Sequence, residues 1–139
     1  MGVAFVFIPP YELKMWKIFD FVPDWFRLDK VNISEISHLK ITIILCVLIN
    51  GFLGPIVEEI YFRGYLLPRM EVFGKLAPLI NTIIFSIYHF FTPWQNLTRI
   101  IGITPMVYSV WKNKDIKIGI IAHCLCNTLG NIGMVMLIL

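Results

Sequence analysis

The segment that determines the architecture lies at residues 41–64 and reads ITIILCVLINGFLGPIVEEIYFRG. It stays apolar from Ile41 to Val57, close to the length that a helix needs to cross the hydrocarbon core of a bilayer. Pro55 and two nearby glycines disfavour a regular helix, although a neighbouring helix can compensate for such a kink inside a membrane. We therefore predict a first membrane-spanning helix that continues through the charged residues to about Pro68.

The composition of the whole chain also indicates a membrane protein. Its 139 residues are 58% hydrophobic and 15% charged, and the mean hydropathy is +0.76. Soluble domains carry about 25% charged residues, so this chain has too little polar surface to cover a water-facing globule. We expect the excess apolar surface to face lipid, and the length predicts one domain.

The basic residues do not predict binding to nucleic acid. The net charge is +3, but the lysines and arginines are scattered and form no basic run. We interpret them as residues that mark loops and reach to the membrane–water boundary. This interpretation covers Lys14, Lys17, Arg27, Lys30, Lys40, Arg63, Arg69, Lys75, Arg99, Lys112, Lys114 and Lys117.

Three further apolar segments predict three further spanning helices. They lie at residues 75–91, 97–111 and 118–139, and the last is long enough to cross a bilayer on its own. Pro105 predicts that the third of the four helices is tilted or broken. The expected fold class is therefore all-α, a polytopic transmembrane bundle of about four spanning helices.

The N-terminal part is expected to be separate from this bundle. Residues 2–10 form an apolar stub that is too short to span a bilayer. Residues 11–39 mix aromatic and charged side chains, a pattern that suits the headgroup level of a membrane or an ordinary amphipathic loop. We assign residues 1–36 to an N-terminal stub and interfacial segment, and residues 37–139 to the membrane-embedded core.

Ionisable groups inside membrane segments are costly and usually functional, which directs attention to Glu58 and Glu59. Adjacent positions on a helix point about 100° apart, so the two carboxylates cannot share one partner. Arg63 lies four residues after Glu59, in the favourable order for a helical ion pair. We expect Arg63 to pair with Glu59 and Glu58 to face a cavity. The alternative is that all three residues mark a helix end at the membrane surface.

Two later segments carry further polar residues at helical spacing. His89 follows Phe85 by four residues, so the phenyl ring can shield the imidazole from lipid. His123 and Asn127 are also four apart, and two side-chain donors aimed at one point can stabilise an oxyanion. The alternatives are a hydrogen-bonded core histidine and a His/Asn pair that bonds between helices. We expect the groups from three helices to meet around one hydrated cavity.

Together, these motifs resemble those of a known family. The segments Glu58-Glu59-Ile-Tyr-Phe-Arg63, Phe85-Ser-Ile-Tyr-His89 and His123-Cys-Leu-Cys-Asn127 are similar to its motifs E-E-x-x-x-R, F-x-x-x-H and H-x-x-x-N. The family is that of the CAAX proteases and bacteriocin-processing enzymes (CPBP, or Abi), which are intramembrane glutamic endopeptidases. Its members usually have more helices before the first motif than residues 1–39 offer.

The resemblance implies an endopeptidase in which a glutamate and a histidine activate water and a His/Asn pair stabilises the oxyanion. The matching catalytic residues are Glu58, His89, His123 and Asn127. The matching site-organising residues are Glu59 and Arg63. No metal or other cofactor is expected. The implied partners are the lipid bilayer and a peptide or membrane-protein substrate, such as a prenylated C-terminus or a secreted peptide, and the implied location is a membrane that the chain crosses several times.

Two other functions remain open at this stage. Two histidines and a glutamate could ligate zinc and leave a position for water, although the H-E-x-x-H arrangement is missing. A non-catalytic immunity or scaffold protein could keep the same polar network to hold its helices together.

The cysteines lie in apolar segments and are predicted to be reduced; they are Cys46, Cys124 and Cys126.

Overall fold

The computed structural model describes residues 39–138, and every regular element in that range is helical. The helices are α1 (residues 39–69), α2 (Ala77–Tyr88), α3 (Asn96–Asn113) and α4 (Ile116–Ile138). Short 3-10 turns, Glu71–Leu76 and Pro93–Gln95, precede α2 and α3. The all-α prediction is confirmed for this range. The predicted N-terminal segment, residues 1–36, lies outside the described residues, so its boundary with the core stays a prediction.

Two π-helical segments interrupt the α-helical geometry of α1, which is otherwise continuous. The successive segments are Leu39–Leu48 (α), Ile49–Leu53 (π), Gly54–Glu59 (α), Ile60–Leu66 (π) and Leu67–Arg69 (α). Each π segment is followed two residues later by a proline, Pro55 or Pro68. Proline crowds the carbonyl four residues earlier and donates no N–H, which favours a wider turn. The predicted extent of the first helix is confirmed, and the two π segments bracket the Glu58-Glu59 pair.

The chain turns sharply between α1 and α2. Gly74 has φ 53° and ψ −128°, a conformation that side-chain-bearing residues rarely adopt. The helical runs on either side of the turn are bent by 117°. α2 has 12 residues because His89, with φ −81° and ψ 50°, leaves the helical conformation. The predicted second helix at residues 75–91 was therefore too long.

Within residues 39–138, no single helix combines the length and the apolar composition needed to cross a bilayer. The bent pair formed by Ile49–Arg69 and Glu71–Tyr88 meets both criteria together. Separate crossings by four helices therefore stay a prediction. α3 is continuous through Pro105, so the third helix is not broken there, and its tilt stays a prediction. A small apolar core joins α1, α2 and α3 and contains Leu67, Met70, Ala77, Val107 and Val110.

Polar and apolar side chains are distributed in the opposite way to a soluble domain. The outer face of α1 exposes large apolar side chains, including Ile44, Leu48, Leu53, Val57 and Ile60. The buried polar and charged residues include Glu59, Arg63, Asn81, Ser86, His89, Arg99 and His123. Soluble proteins almost never bury so many charged groups unless they are paired, whereas proteins in lipid direct such groups to the interior. The outward-facing apolar surface predicted from composition is confirmed for the described range.

Candidate active site

Glu59 lies at the centre of a buried cluster between α1 and α4. Its Oε1 atom is 2.9 Å from Arg63 Nη1 and 2.8 Å from His123 Nδ1. Arg63 follows Glu59 by one helical turn, so the two side chains meet on one face, as predicted. The guanidinium also lies 4.2 Å from the centre of the Phe85 ring on α2, a cation–π contact. The cluster therefore joins three helices through one carboxylate and one arginine.

α4 approaches this cluster at a glycine. A Cβ atom at Gly119 would collide with Glu59 Oε2 and would lie 3.2 Å from Val110 Cγ2. Gly119 precedes His123 by four residues and so lies on the same face of α4. Gly119 was not among the residues predicted from the sequence, although its spacing from His123 repeats the spacing between His123 and Asn127. A methyl group at this position would therefore have to displace the buried carboxylate.

Glu58 lies beside this cluster, and the expectation that the two adjacent carboxylates cannot share a partner is wrong, because Glu59 approaches His123 at Nδ1 and Glu58 approaches it at Nε2. Its Oε1 atom is 3.6 Å from His89 Nε2 and its Oε2 atom is 3.7 Å from His123 Nε2. The Glu58 side chain is 22% exposed, whereas Glu59 is fully buried. Both distances exceed a hydrogen bond, but one water molecule can hydrogen-bond to two groups at this separation. The predicted meeting of groups from three helices is confirmed for Glu58, His89 and His123. The part of Asn127, the hydrated cavity and the catalytic roles stay predictions.

The orientation of the His89 ring is set by the end of α2. His89 leaves the helix and its own N–H donates to Ser86 O, at 3.2 Å, so the Phe85 carbonyl is free to take another donor. His89 Nδ1 lies 2.9 Å from that carbonyl oxygen. A carbonyl only accepts, so Nδ1 carries the proton and, in a neutral ring, Nε2 presents a lone pair toward Glu58. The Phe85 ring packs against the imidazole with centroids 4.7 Å apart, as predicted.

His123 and Asn127 both already have hydrogen-bond partners. His123 Nδ1 bonds to Glu59, so its Nε2 donates only when the ring carries both protons. Asn127 Nδ2 donates to the Asn50 carbonyl on α1, at 3.0 Å. The amide therefore makes the interhelical hydrogen bond of the alternative interpretation, using one of its two N–H groups. The predicted oxyanion pair stays a prediction.

Arg99 was predicted to reach to the membrane–water boundary. Instead it is buried, with only 4% of the residue exposed. Its guanidinium donates to oxygens of the α2 end and the α2–α3 turn. The acceptors are Ser86 O at 3.3 Å, Ser86 Oγ at 3.4 Å, Asn96 Oδ1 at 2.9 Å, Thr92 Oγ1 at 2.7 Å and Gln95 Oε1 at 3.4 Å. Arg63 is likewise buried, at 2% exposure. The boundary interpretation is therefore wrong for both arginines.

The remaining candidate ligands are not arranged for a metal. Among residues 39–138, no three His, Cys, Asp or Glu side chains form a group that could hold a metal ion. Cys124 is buried and Cys126 is exposed, and both are free thiols. In this part of the chain the zinc alternative therefore lacks a ligand set.

The described residues form a helical unit that buries acids, arginines and histidines beneath an apolar surface. The sequence model of one protein family, type II CAAX prenyl endopeptidase Rce1-like, matches residues 40–129, so this chain belongs to that family. The resemblance noted from the three motifs is confirmed. No curated protein and no solved structure matched the chain. Membership supports a peptidase and is consistent with an integral membrane protein.

Proposed function

We propose that this chain is an intramembrane endopeptidase in which Glu58 and His89 activate a water molecule. The observation that carries the proposal is the convergence of Glu58 with the Nε2 atoms of two imidazoles, from α2 and α4, at one partly exposed point. The match to a CAAX prenyl endopeptidase family supports hydrolysis of a peptide bond as the reaction.

The reaction would begin with a water molecule held between Glu58 and His89. Glu58 takes one proton as general base, while the lone pair of His89 Nε2 accepts a hydrogen bond from the other O–H. The water oxygen adds to the peptide carbonyl carbon, and the carbonyl oxygen becomes an oxyanion. Glu58 then returns its proton to the leaving nitrogen as the C–N bond breaks. The products are an amine and a carboxylic acid, which ionises on release.

The oxyanion would be stabilised by His123 and Asn127. Because Glu59 engages His123 Nδ1, this role requires a doubly protonated His123 ring, whose Nε2 then donates. Glu59 and Arg63 are positioning residues in this scheme, since they hold His123 but are themselves buried away from the partly exposed point where Glu58 meets the two imidazoles. Donors fixed in a site sheltered from water stabilise developing charge more strongly than the same donors in water.

The proposed substrate is a peptide or a membrane protein, with a prenylated C-terminus or a secreted peptide as the classes that fit the family. The proposed location is a membrane crossed several times by the chain, with the exposed apolar face of α1 against lipid.

The first experiment compares membrane proteomes of cells that carry the wild-type protein or Glu58→Gln. The matched control is Glu71→Gln, since Glu71 is an exposed carboxylate in the turn before α2. We expect at least one peptide terminus to disappear in Glu58→Gln and to persist in Glu71→Gln. Identical termini in all three strains, together with an intact biological effect in Glu58→Gln and His89→Ala, would instead support the non-catalytic scaffold.

A further inference from the structure

The surroundings of Arg99 are unusual for a buried cation. Among residues 39–138, no carboxylate lies within ion-pair distance of its guanidinium, and the acceptors are a carbonyl, hydroxyls and side-chain amides. A buried charge that lacks an opposite charge is costly. The carbonyl acceptor belongs to Ser86 at the C-terminal end of α2, where the helix dipole is negative and favours a cation. Arg99 thus closes the end of α2 from the first turn of α3.

The residues that Arg99 binds are the same residues that hold the backbone of His89. The His89 N–H donates to Ser86 O at 3.2 Å, and the Thr92 N–H donates to His89 O at 3.0 Å. Arg99 Nη1 donates to Ser86 O, and Arg99 Nη2 donates to Thr92 Oγ1 at 2.7 Å. His89 therefore lies between two residues that one guanidinium holds together.

We propose that Arg99 is a positioning residue of this site, which fixes His89 through Ser86 and Thr92. The inference rests on the proposed peptidase function. Arg99 does not touch the reacting atoms in this mechanism. It determines where His89 Nε2 stands relative to the Glu58 carboxylate.

The test measures kcat and KM of purified protein on a farnesylated, internally quenched peptide. The variants are Arg99→Gln, Arg99→Lys and Thr92→Val, and the matched control is Arg69→Gln, which removes an exposed guanidinium from α1. We expect Arg99→Gln to lower kcat on the order of 10²-fold, because a misplacement of about 1 Å can cost that much, while KM stays unchanged. Arg99→Lys keeps the charge but not the fork of donors, so its kcat should lie between those of Arg99→Gln and wild type.

A double-mutant cycle separates positioning from a general loss of folding. Thr92→Val removes the hydroxyl that accepts a hydrogen bond from Arg99 and keeps the shape of the side chain. It should lower kcat in the wild-type background and cause no further loss in Arg99→Gln, since the two residues act through one contact. If Arg99→Gln does not fold, Arg99→Lys and Thr92→Val carry the test, and wild-type kcat in Thr92→Val would overturn the inference.

The outcomes also separate this inference from the function on which it rests. Equal cleavage by wild type and Glu58→Gln would overturn the proposed function, and the inference with it. Loss of cleavage in Glu58→Gln with wild-type kcat in Arg99→Gln would overturn the inference alone. The inference would also be overturned if Arg99→Gln lost activity only in proportion to its folded fraction, or if Thr92→Val and Arg99→Gln acted independently.

Discussion

The α1–α4 interface and the α2–α3 turn each bury an arginine, but they compensate its charge in different ways. Arg63 at the interface faces the Glu59 carboxylate at 2.9 Å. The shortest contact of Arg99 in the turn is to the neutral Thr92 hydroxyl, at 2.7 Å. The interface is therefore held by opposite charges and the turn by a helix end and neutral dipoles. This difference predicts that removing the arginine destabilises the protein more at the interface than at the turn, while the turn has the larger part in the placement of His89.

The α1–α4 interface also packs side chains of each helix directly against a glycine of the other. A Cβ at Gly119 would collide with Glu59, and one at Gly51 would lie 2.9 Å from Thr128 Oγ1. Small residues at helix crossings allow this kind of approach in membrane proteins. The turn, by contrast, is held by side-chain hydrogen bonds rather than by packing against glycines. Substitutions that change size should therefore affect the interface more than the turn.

The largest expected effect on stability is that of Arg63→Met. It leaves the fully buried Glu59 carboxylate without its cation, and breaking a buried pair in this way costs about 3–5 kcal/mol. Arg99→Met leaves only neutral acceptors unsatisfied, which costs about 1–3 kcal/mol. Thermal or denaturant unfolding of the purified variants in the same detergent measures both values. Equal losses in the two variants would contradict the contrast between charge and dipole compensation.

The next largest effect is expected for Gly119→Ala. The added methyl group collides with Glu59, and overpacking of this kind costs about 1–3 kcal/mol. Gly102→Ala is the matched control, because a Cβ at Gly102 on α3 meets nothing within 4 Å. Replacing that helical glycine should stabilise the protein by about 0.5–1 kcal/mol. The same unfolding assay measures both changes, and a neutral Gly119→Ala would show that Glu59 can move aside.

The smallest effect on stability is expected for Asn127→Ala. The lost bond to the Asn50 carbonyl is worth about 0.6 kcal/mol, the average for side-chain hydrogen bonds between membrane helices. If Asn127 also stabilises the oxyanion, kcat should fall by about 10²–10³-fold. Unfolding and single-turnover cleavage of the same preparation measure the two values. A small change in both would make Asn127 a residue that only joins the helices.

The parts of the site that could be predicted from the sequence are those that depend on one helical turn. The pairing of Glu59 with Arg63 and the packing of Phe85 on His89 follow from a spacing of four residues. The bond between His123 and Glu59 joins residues 64 positions apart, and no local pattern contains it. The burial of Arg99 likewise depends on a turn that the apolar pattern does not describe. The apolar pattern also predicted that the second helix continues to residue 91. The helix ends at Tyr88, because the backbone of His89 is not helical, although the sequence stays apolar beyond it.

The central claim is that Glu58 and His89 form a water-activating site for peptide hydrolysis. Its most direct test is cleavage of a prenylated peptide by purified wild type, Glu58→Gln, His89→Ala and the Glu71→Gln control, with and without exhaustive chelation. We predict that both site variants lose about 10²–10⁴-fold in rate, the usual contribution of a general base, while Glu71→Gln and chelated wild type keep their activity. Undiminished cleavage by Glu58→Gln would contradict the claim, and loss of wild-type activity on chelation would favour the zinc alternative.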